Sequence, residues 1–148
     1  MTEYFTITRE LAAPRELVFD AITTPEHFAV WFGTAAVEVP LDSLTMDVRP
    51  GGAFRAVMLL PEGNRIDWAG EYVEVDRPSH LAMTLSDRPG EYAGLPVLFD
   101  LEEVAAGTRL TIRQDRSDFS DDQIAATIAG YNAFIDDIEN ELVRMQEA

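Results

Sequence analysis

Cysteine is missing from this chain of 148 residues, so disulfides and thiol chemistry are excluded. Lysine is missing too: all 11 basic residues are arginines, which removes a Schiff-base amine. Histidine occurs only at His27 and His80, in separate segments with no metal-ligand spacing. No metal site or cofactor is expected from them, and both read as solvated side chains. The serines include no Gly-x-Ser-x-Gly turn, so a nucleophilic triad has no support. No apolar run is long enough to cross a bilayer. The start, Met1-Thr2-Glu3-Tyr4-Phe5, has neither the basic region nor the apolar core of a signal peptide, and the cytoplasm is the expected location. Basic clusters are also lacking. The 27 acidic residues outnumber the 11 arginines for a formal charge of −16, and the arginines are scattered. Nucleic acid and anionic membrane surfaces would repel such a chain.

What is present is a long amphipathic pattern at the C-terminal end. Ile124, Ile128, Tyr131, Ile135, Ile138, Leu142 and Met145 recur at spacings of four and three, on one stripe of a helix running from Asp121 to Ala148. The opposite face carries Asp121, Asp122, Asp136, Asp137, Glu139, Glu141, Arg144 and Glu147, all expected in solvent. Ser120 and Gln123 are spaced as a capping box. A helix with a single apolar stripe needs a surface to lie on.

Upstream, the pattern reads as strands. Thr2 to Leu11 is rich in β-formers and is the first. Pro14 to Thr23 and Thr24 to Phe32 are short helices, the second ending at Gly33. Six further strands follow: Ala35 to Leu41, Ala53 to Leu60, Arg65 to Val75, Leu81 to Ser86, Leu95 to Val104 and Thr108 to Asp115, separated by tight turns and one longer loop, Asp87 to Gly94. Alternation assigns a buried face to Phe54, Ala56, Met58 and Leu60, to Leu81, Met83 and Leu85, to Val97, Phe99 and Leu101, and to Leu110 and Ile112. Residues 1–148 are thus expected to form one α+β domain. In it, a curved antiparallel sheet of about seven strands wraps the long C-terminal helix, with two short helices after the first strand.

That order of elements is the order of the helix-grip fold. Local motifs narrow it. Ala13-Pro14-Arg15-Glu16-Leu17-Val18-Phe19, then Thr24-Pro25-Glu26-His27, resembles the opening of the Hsp90-ATPase-activator-homologue-like family of the START-like (SRPBCC) superfamily. Trp31-Phe32-Gly33, Asp47-Val48-Arg49-Pro50-Gly51-Gly52 and Gly70 to Pro78 are similar to its later motifs. Leu81, Thr84, Thr108 to Thr111 and Gly130-Tyr131 complete the resemblance, with Tyr131 where the family more often has tryptophan. The resemblance implies a cavity between sheet and last helix that takes an apolar molecule. It also implies a chaperone as an alternative partner. The co-chaperone behind the family name uses a further N-terminal domain, and this chain is expected to begin at the first strand without one.

Trp31, Phe32, Phe54, Met58, Trp68, Tyr72, Met83, Phe99, Tyr131 and Phe134 are the candidate ligand-binding residues. The aromatic ones exceed what a thin core needs, and ligand pockets are apolar with a few polar handles. Trp68 N–H and the Tyr72 and Tyr131 hydroxyls would be those handles. An exposed Trp31-Phe32 tip would seal the pocket mouth or form a homodimer contact. Gly130, in mid-helix, is expected where sheet or ligand comes close. The alternative is an enzyme of cyclase or isomerase type, with Asp67 or Glu71 as a cavity carboxylate and Arg55 or Arg113 holding an anion. Alternation puts the arginines on the wetted face, so a binding module without catalytic residues is the primary reading.

Overall fold

The computed structural model describes residues 4–33, 37–87, 95–116 and 119–147. Strand β1, Tyr4–Leu11, turns Ile7 and Leu11 into the core, with Phe5 and Arg9 half-buried on the same face. Pro14 follows with extended backbone, and its carbonyl accepts the Leu17 and Val18 N–H groups that open α1, Arg15–Thr23. The Thr24 carbonyl does the same for His27 and Phe28, starting α2, Pro25–Gly33. Each helix buries one face: Val18, Phe19, Ala21 and Ile22 from α1, and Phe28, Trp31 and Phe32 from α2. Trp31 and Phe32 are 5% and 4% exposed, and Trp31 Nε1 donates to the Ala21 carbonyl at 2.8 Å. The pair is therefore not an exposed tip, and the expected dimer contact through it is corrected.

The strand expected over Ala35 to Leu41 does not form among the described residues. Glu38 makes one isolated bridge to Leu59, Pro40 can donate nothing to a ladder, and Leu41–Ser43 is a 3-10 turn. The ladder is instead taken up by β2, Thr45–Met46, on β3, Ala53–Leu59. Then come β4 (Arg65–Asp76), β5 (His80–Met83, shorter than expected), β6 (Val97–Val104) and β7 (Gly107–Asp115). Most of the Asp87 to Gly94 loop lies outside the described residues.

Among the described residues the seven strands form one antiparallel sheet in the order β1-β7-β6-β5-β4-β3-β2. The chain crosses from β1 at one edge to β2 at the other through α1 and α2, then meanders back. The curl is concentrated in β4. Its first part pairs with β3 and its last part with β5, with a register shift between Tyr72 and Glu74. Gly70 sits at the transition, where a Cβ would fall 1.8 Å from the Thr84 carbonyl oxygen. Only glycine lets those two backbones approach so closely.

The last element, α3, spans Asp121–Glu147. The Ser120 hydroxyl accepts from Gln123 N–H at 3.1 Å and Gln123 Oε1 accepts from Ser120 N–H at 2.8 Å, the reciprocal cap read from the sequence. The apolar stripe splits: Ile135, Ile138 and Leu142 are buried, while Ile124, Ile128, Tyr131 and Met145 are half-buried. Arg9, inward on β1, ties the helix to the sheet edge through Asp136, Glu139 and Asn132 at 2.5, 3.0 and 3.0 Å.

Glu141 departs from expectation. It is 4% exposed, not in solvent, because it flanks the stripe where α2 crosses α3. Its Oε2 lies 2.5 Å from His27 Nδ1, and its Oε1 forms an ion pair with Arg144 at 3.1 Å. His80, on the outer face of β5, lies 2.7 Å from Asp100 and 3.2 Å from Glu74. Neither histidine is simply solvated: each is held by carboxylates.

Candidate functional site

The concave face of the sheet is built by parity. Trp68 and Tyr72 on β4, Leu81 and Met83 on β5, Val97, Phe99 and Leu101 on β6, and Leu110 and Ile112 on β7 all point inward. Gln114 follows Ile112 on the same inward parity, so a polar side chain ends the apolar row. Helices α1 and α2 fill one end of the trough. There Phe28, Trp31, Phe32, Phe54, Trp68 and Phe134 form a cluster of edge-on and stacked rings, with centroids 4.7–5.6 Å apart between Phe28 and Trp31, Phe32 and Phe54, and between Phe32 and both Trp68 and Phe134.

Beside this cluster the side chains of wall and helix fail to meet, and a cavity of ≈ 410 Å³ remains. Its lining comes from α1 and α2 (Ile22, Phe28, Trp31, Phe32), from the sheet (Trp68, Met83, Leu85, Val97, Phe99, Ile112, Gln114) and from α3 (Thr127, Gly130, Tyr131, Phe134, Ile135, Ile138), with Asp87 and Phe119 completing it. Of the ten residues singled out from sequence, Trp31, Phe32, Trp68, Met83, Phe99, Tyr131 and Phe134 lie on this lining. Phe54, Met58 and Tyr72 do not: they are packed into the core among the described residues, Phe54 with its ring 5.3 Å from Phe28 and 6.3 Å from Tyr72.

The polar groups on the lining are few. Tyr131 donates its hydroxyl to Gln114 Oε1, which joins α3 to β7 across the cavity. Burial pushes the Tyr131 phenol well above its ordinary value, so it stays protonated and remains a donor. Thr127 turns its hydroxyl back onto its own helix, donating to the Gln123 carbonyl at 2.8 Å. Trp68 Nε1 is buried and has no hydrogen-bond partner among the described residues. The Tyr72 hydroxyl is likewise buried and unpartnered there, and burial raises its phenol strongly, but it lies in the core and not on the lining. Asp87 is exposed at the rim.

The carboxylates considered for catalysis are elsewhere. Asp67 and Glu71 are both exposed, on the opposite parity to Trp68 and Tyr72, and Asp67 is paired with Arg65 at 2.5 Å. Arg55 and Arg113 are exposed as well, Arg113 donating to Asp100 at 2.6 Å. No group of three or more histidine, aspartate or glutamate side chains among the described residues is arranged to hold a metal. Gly130 is exposed, and a Cβ added there would meet nothing within 4 Å, so the sheet does not come close to it among the described residues, although Gly130 borders the cavity. Gln114 was not among the residues singled out. Extending the alternation of Leu110 and Ile112 by one step would have found it.

Residues 12–142 match the family described as activator of Hsp90 ATPase homolog 1-like protein. The chain belongs to that family. No curated protein matches it. Among solved structures, a protein from Nitrosomonas europaea is 26% identical, with TM-score 0.78 over 97% of this chain and 96% of its own. The AHSA1 protein from Silicibacter pomeroyi is 23% identical, with TM-score 0.80 over 97% of this chain and 99% of its own. A protein from Rhodobacter sphaeroides superposes equally well, with TM-score 0.80 at 20% identity, over 95% and 92% of the two chains. These likenesses establish the helix-grip architecture of this activator-homologue-like chain. None of the helices among its described residues is long and apolar enough to cross a membrane.

Proposed function

We propose that this chain binds a small apolar or amphipathic molecule in the cavity between sheet and α3, as a binding module. The observation that carries the reading is the cavity itself. Its ≈ 410 Å³ falls in the range of about 300–1,000 Å³ typical of small-molecule sites. It is lined chiefly by aliphatic and aromatic side chains, with only a few polar groups among them. In this reading Trp31, Phe32, Trp68, Met83, Phe99, Tyr131 and Phe134 contact the molecule, and Phe54, Met58 and Tyr72 support them from behind.

The test is native mass spectrometry of the protein purified from its own host. One small molecule, released on denaturation, is the expected result. A bare chain that also fails to take up apolar probes in calorimetric titration would overturn the proposal.

Family membership supports a second reading, work beside a chaperone. It predicts a raised Hsp90 ATPase rate when the full chain is added, and an unchanged rate would remove it.

A further inference from the structure

The polar groups inside the cavity are unequal in kind, and that inequality selects a ligand chemistry. Trp68 Nε1–H is a donor only, it is buried, and it has no partner among the described residues. A buried donor left without an acceptor costs about 1–3 kcal/mol, so a site that keeps one is a site waiting for an acceptor. Gln114 points the same way. Its Oε1 accepts from the Tyr131 hydroxyl, and its half-buried amide NH₂ donates to no group among the described residues. Trp68 on β4 and Gln114 on β7 thus both lie on the lining, with β5 and β6 forming the apolar floor between them. No basic side chain is found on the described lining, Asp87 stands at the rim, and the whole chain carries −16. An anion would be desolvated there with no positive side chain to pair with among the described residues of the lining.

We infer that the cavity takes an uncharged, largely hydrocarbon molecule bearing a carbonyl-type acceptor oxygen, with Trp68 Nε1–H and the Gln114 amide as its donors. This rests on the ligand-binding reading above and adds the functional group. The two donors stand three strands apart in the sheet, so a molecule with acceptors at both ends satisfies both at once, and a single carbonyl satisfies one.

The experiment is calorimetric titration of the intact protein with three matched bicyclic compounds: the ketone α-tetralone, the hydrocarbon tetralin and tetralin carboxylate. The ketone is expected to bind about five- to tenfold more tightly than the hydrocarbon, the value of one hydrogen bond. The carboxylate is expected to bind at least tenfold more weakly than the ketone. Trp68→Phe removes the N–H and keeps an aromatic ring. Gln114→Glu keeps an acceptor for Tyr131 and replaces the NH₂ by oxygen. Whichever donor the single carbonyl takes, its variant is expected to shrink the ketone-to-hydrocarbon ratio, and circular dichroism checks that both variants fold. Equal binding of ketone and hydrocarbon by the unaltered protein overturns the inference and leaves the pocket reading standing, as does tightest binding of the carboxylate. A ketone preference untouched by both folded variants overturns the assignment of the donors. No binding of any of the three ends the inference and counts against the pocket reading as well.

Discussion

The two halves of α3 share one helix and one apolar stripe, yet they do different work. From Ile135 to Leu142 the stripe is buried: Ile135, Ile138 and Leu142 are 0%, 2% and 3% exposed, and Glu141 is drawn in with them to meet His27 of α2. Before Ile135 no residue of the helix is fully buried. Tyr131 and Phe134 hang over the large cavity, and on the other flank Ile124, Ala125 and Ile128 border a second hollow of ≈ 370 Å³ against Tyr4 and Phe5. The C-terminal half anchors the helix, with Ile135 and Ile138 also reaching the cavity lining, and the N-terminal half roofs open space. Amphipathicity fixes which face of a helix turns inward. It does not fix whether that face meets side chains or emptiness.

Substitutions along the stripe can break this contrast. Ile138→Ala should cost about 3 kcal/mol in denaturant unfolding, the ordinary loss for a fully buried aliphatic side chain. Glu141→Ala should cost about 2 kcal/mol by the same measurement, since it strands the His27 ring nitrogen and empties a buried position. Ile128→Ala, on the roofing half, should cost less than about 1 kcal/mol, because half of what surrounds it is already open. Equal losses at 128 and 138 would erase the distinction between anchor and roof.

Gly130→Ala should raise stability by about 0.5–1 kcal/mol, since an added Cβ meets nothing and a mid-helix glycine is entropically costly. A loss there would mean that the roof needs to bend.

The smallest effect belongs to the outer face of the sheet, which should be indifferent to both halves. Burial disfavours the charged form of His80, but its hydrogen bonds to Asp100 and Glu74 outweigh that and leave its pKa above the usual 6.5. Its contribution is therefore complete below that value and is lost as pH rises through the folded-state pKa. Burial also works against the Asp100 charge, and Arg113 and His80 outweigh it, so Asp100 is lowered; its contribution holds above the ordinary carboxylate range and is lost as pH falls through the folded-state pKa. An NMR titration should show His80 titrating above 6.5. His80→Ala should cost no more than about 1 kcal/mol below that pH and less above it, as expected for partly exposed pairs.

Sequence patterning carried most of the architecture. Period-two alternation found the inward faces of β3 and β5 to β7, and the four-three spacing found the helix they wrap. The errors have physical causes. The strand expected over Ala35 to Leu41 runs into Pro40, which has no N–H to give a ladder, and only one isolated bridge forms there among the described residues. Glu141 was assigned to solvent because it is charged, although it sits beside Ile138 and Leu142 and finds a partner on another helix. Gln114 continues the parity of Leu110 and Ile112 and changes only the chemistry of the inward face. Tyr72 and Trp68 share one face of one strand, yet Tyr72 is packed into the core and Trp68 stands on the lining. The close backbone approach at Gly70 is likewise not revealed by residue type alone.

Both of the chain's tryptophans border the same hollow, and they differ in one respect. The Trp31 indole is already engaged by the Ala21 carbonyl, whereas the Trp68 indole is not engaged among the described residues. The protein therefore carries a pair of intrinsic fluorophores at its interior surface, one tethered and one free to respond. An arriving guest would alter their emission without any label, and replacing either indole by phenylalanine would say which of the two had noticed it.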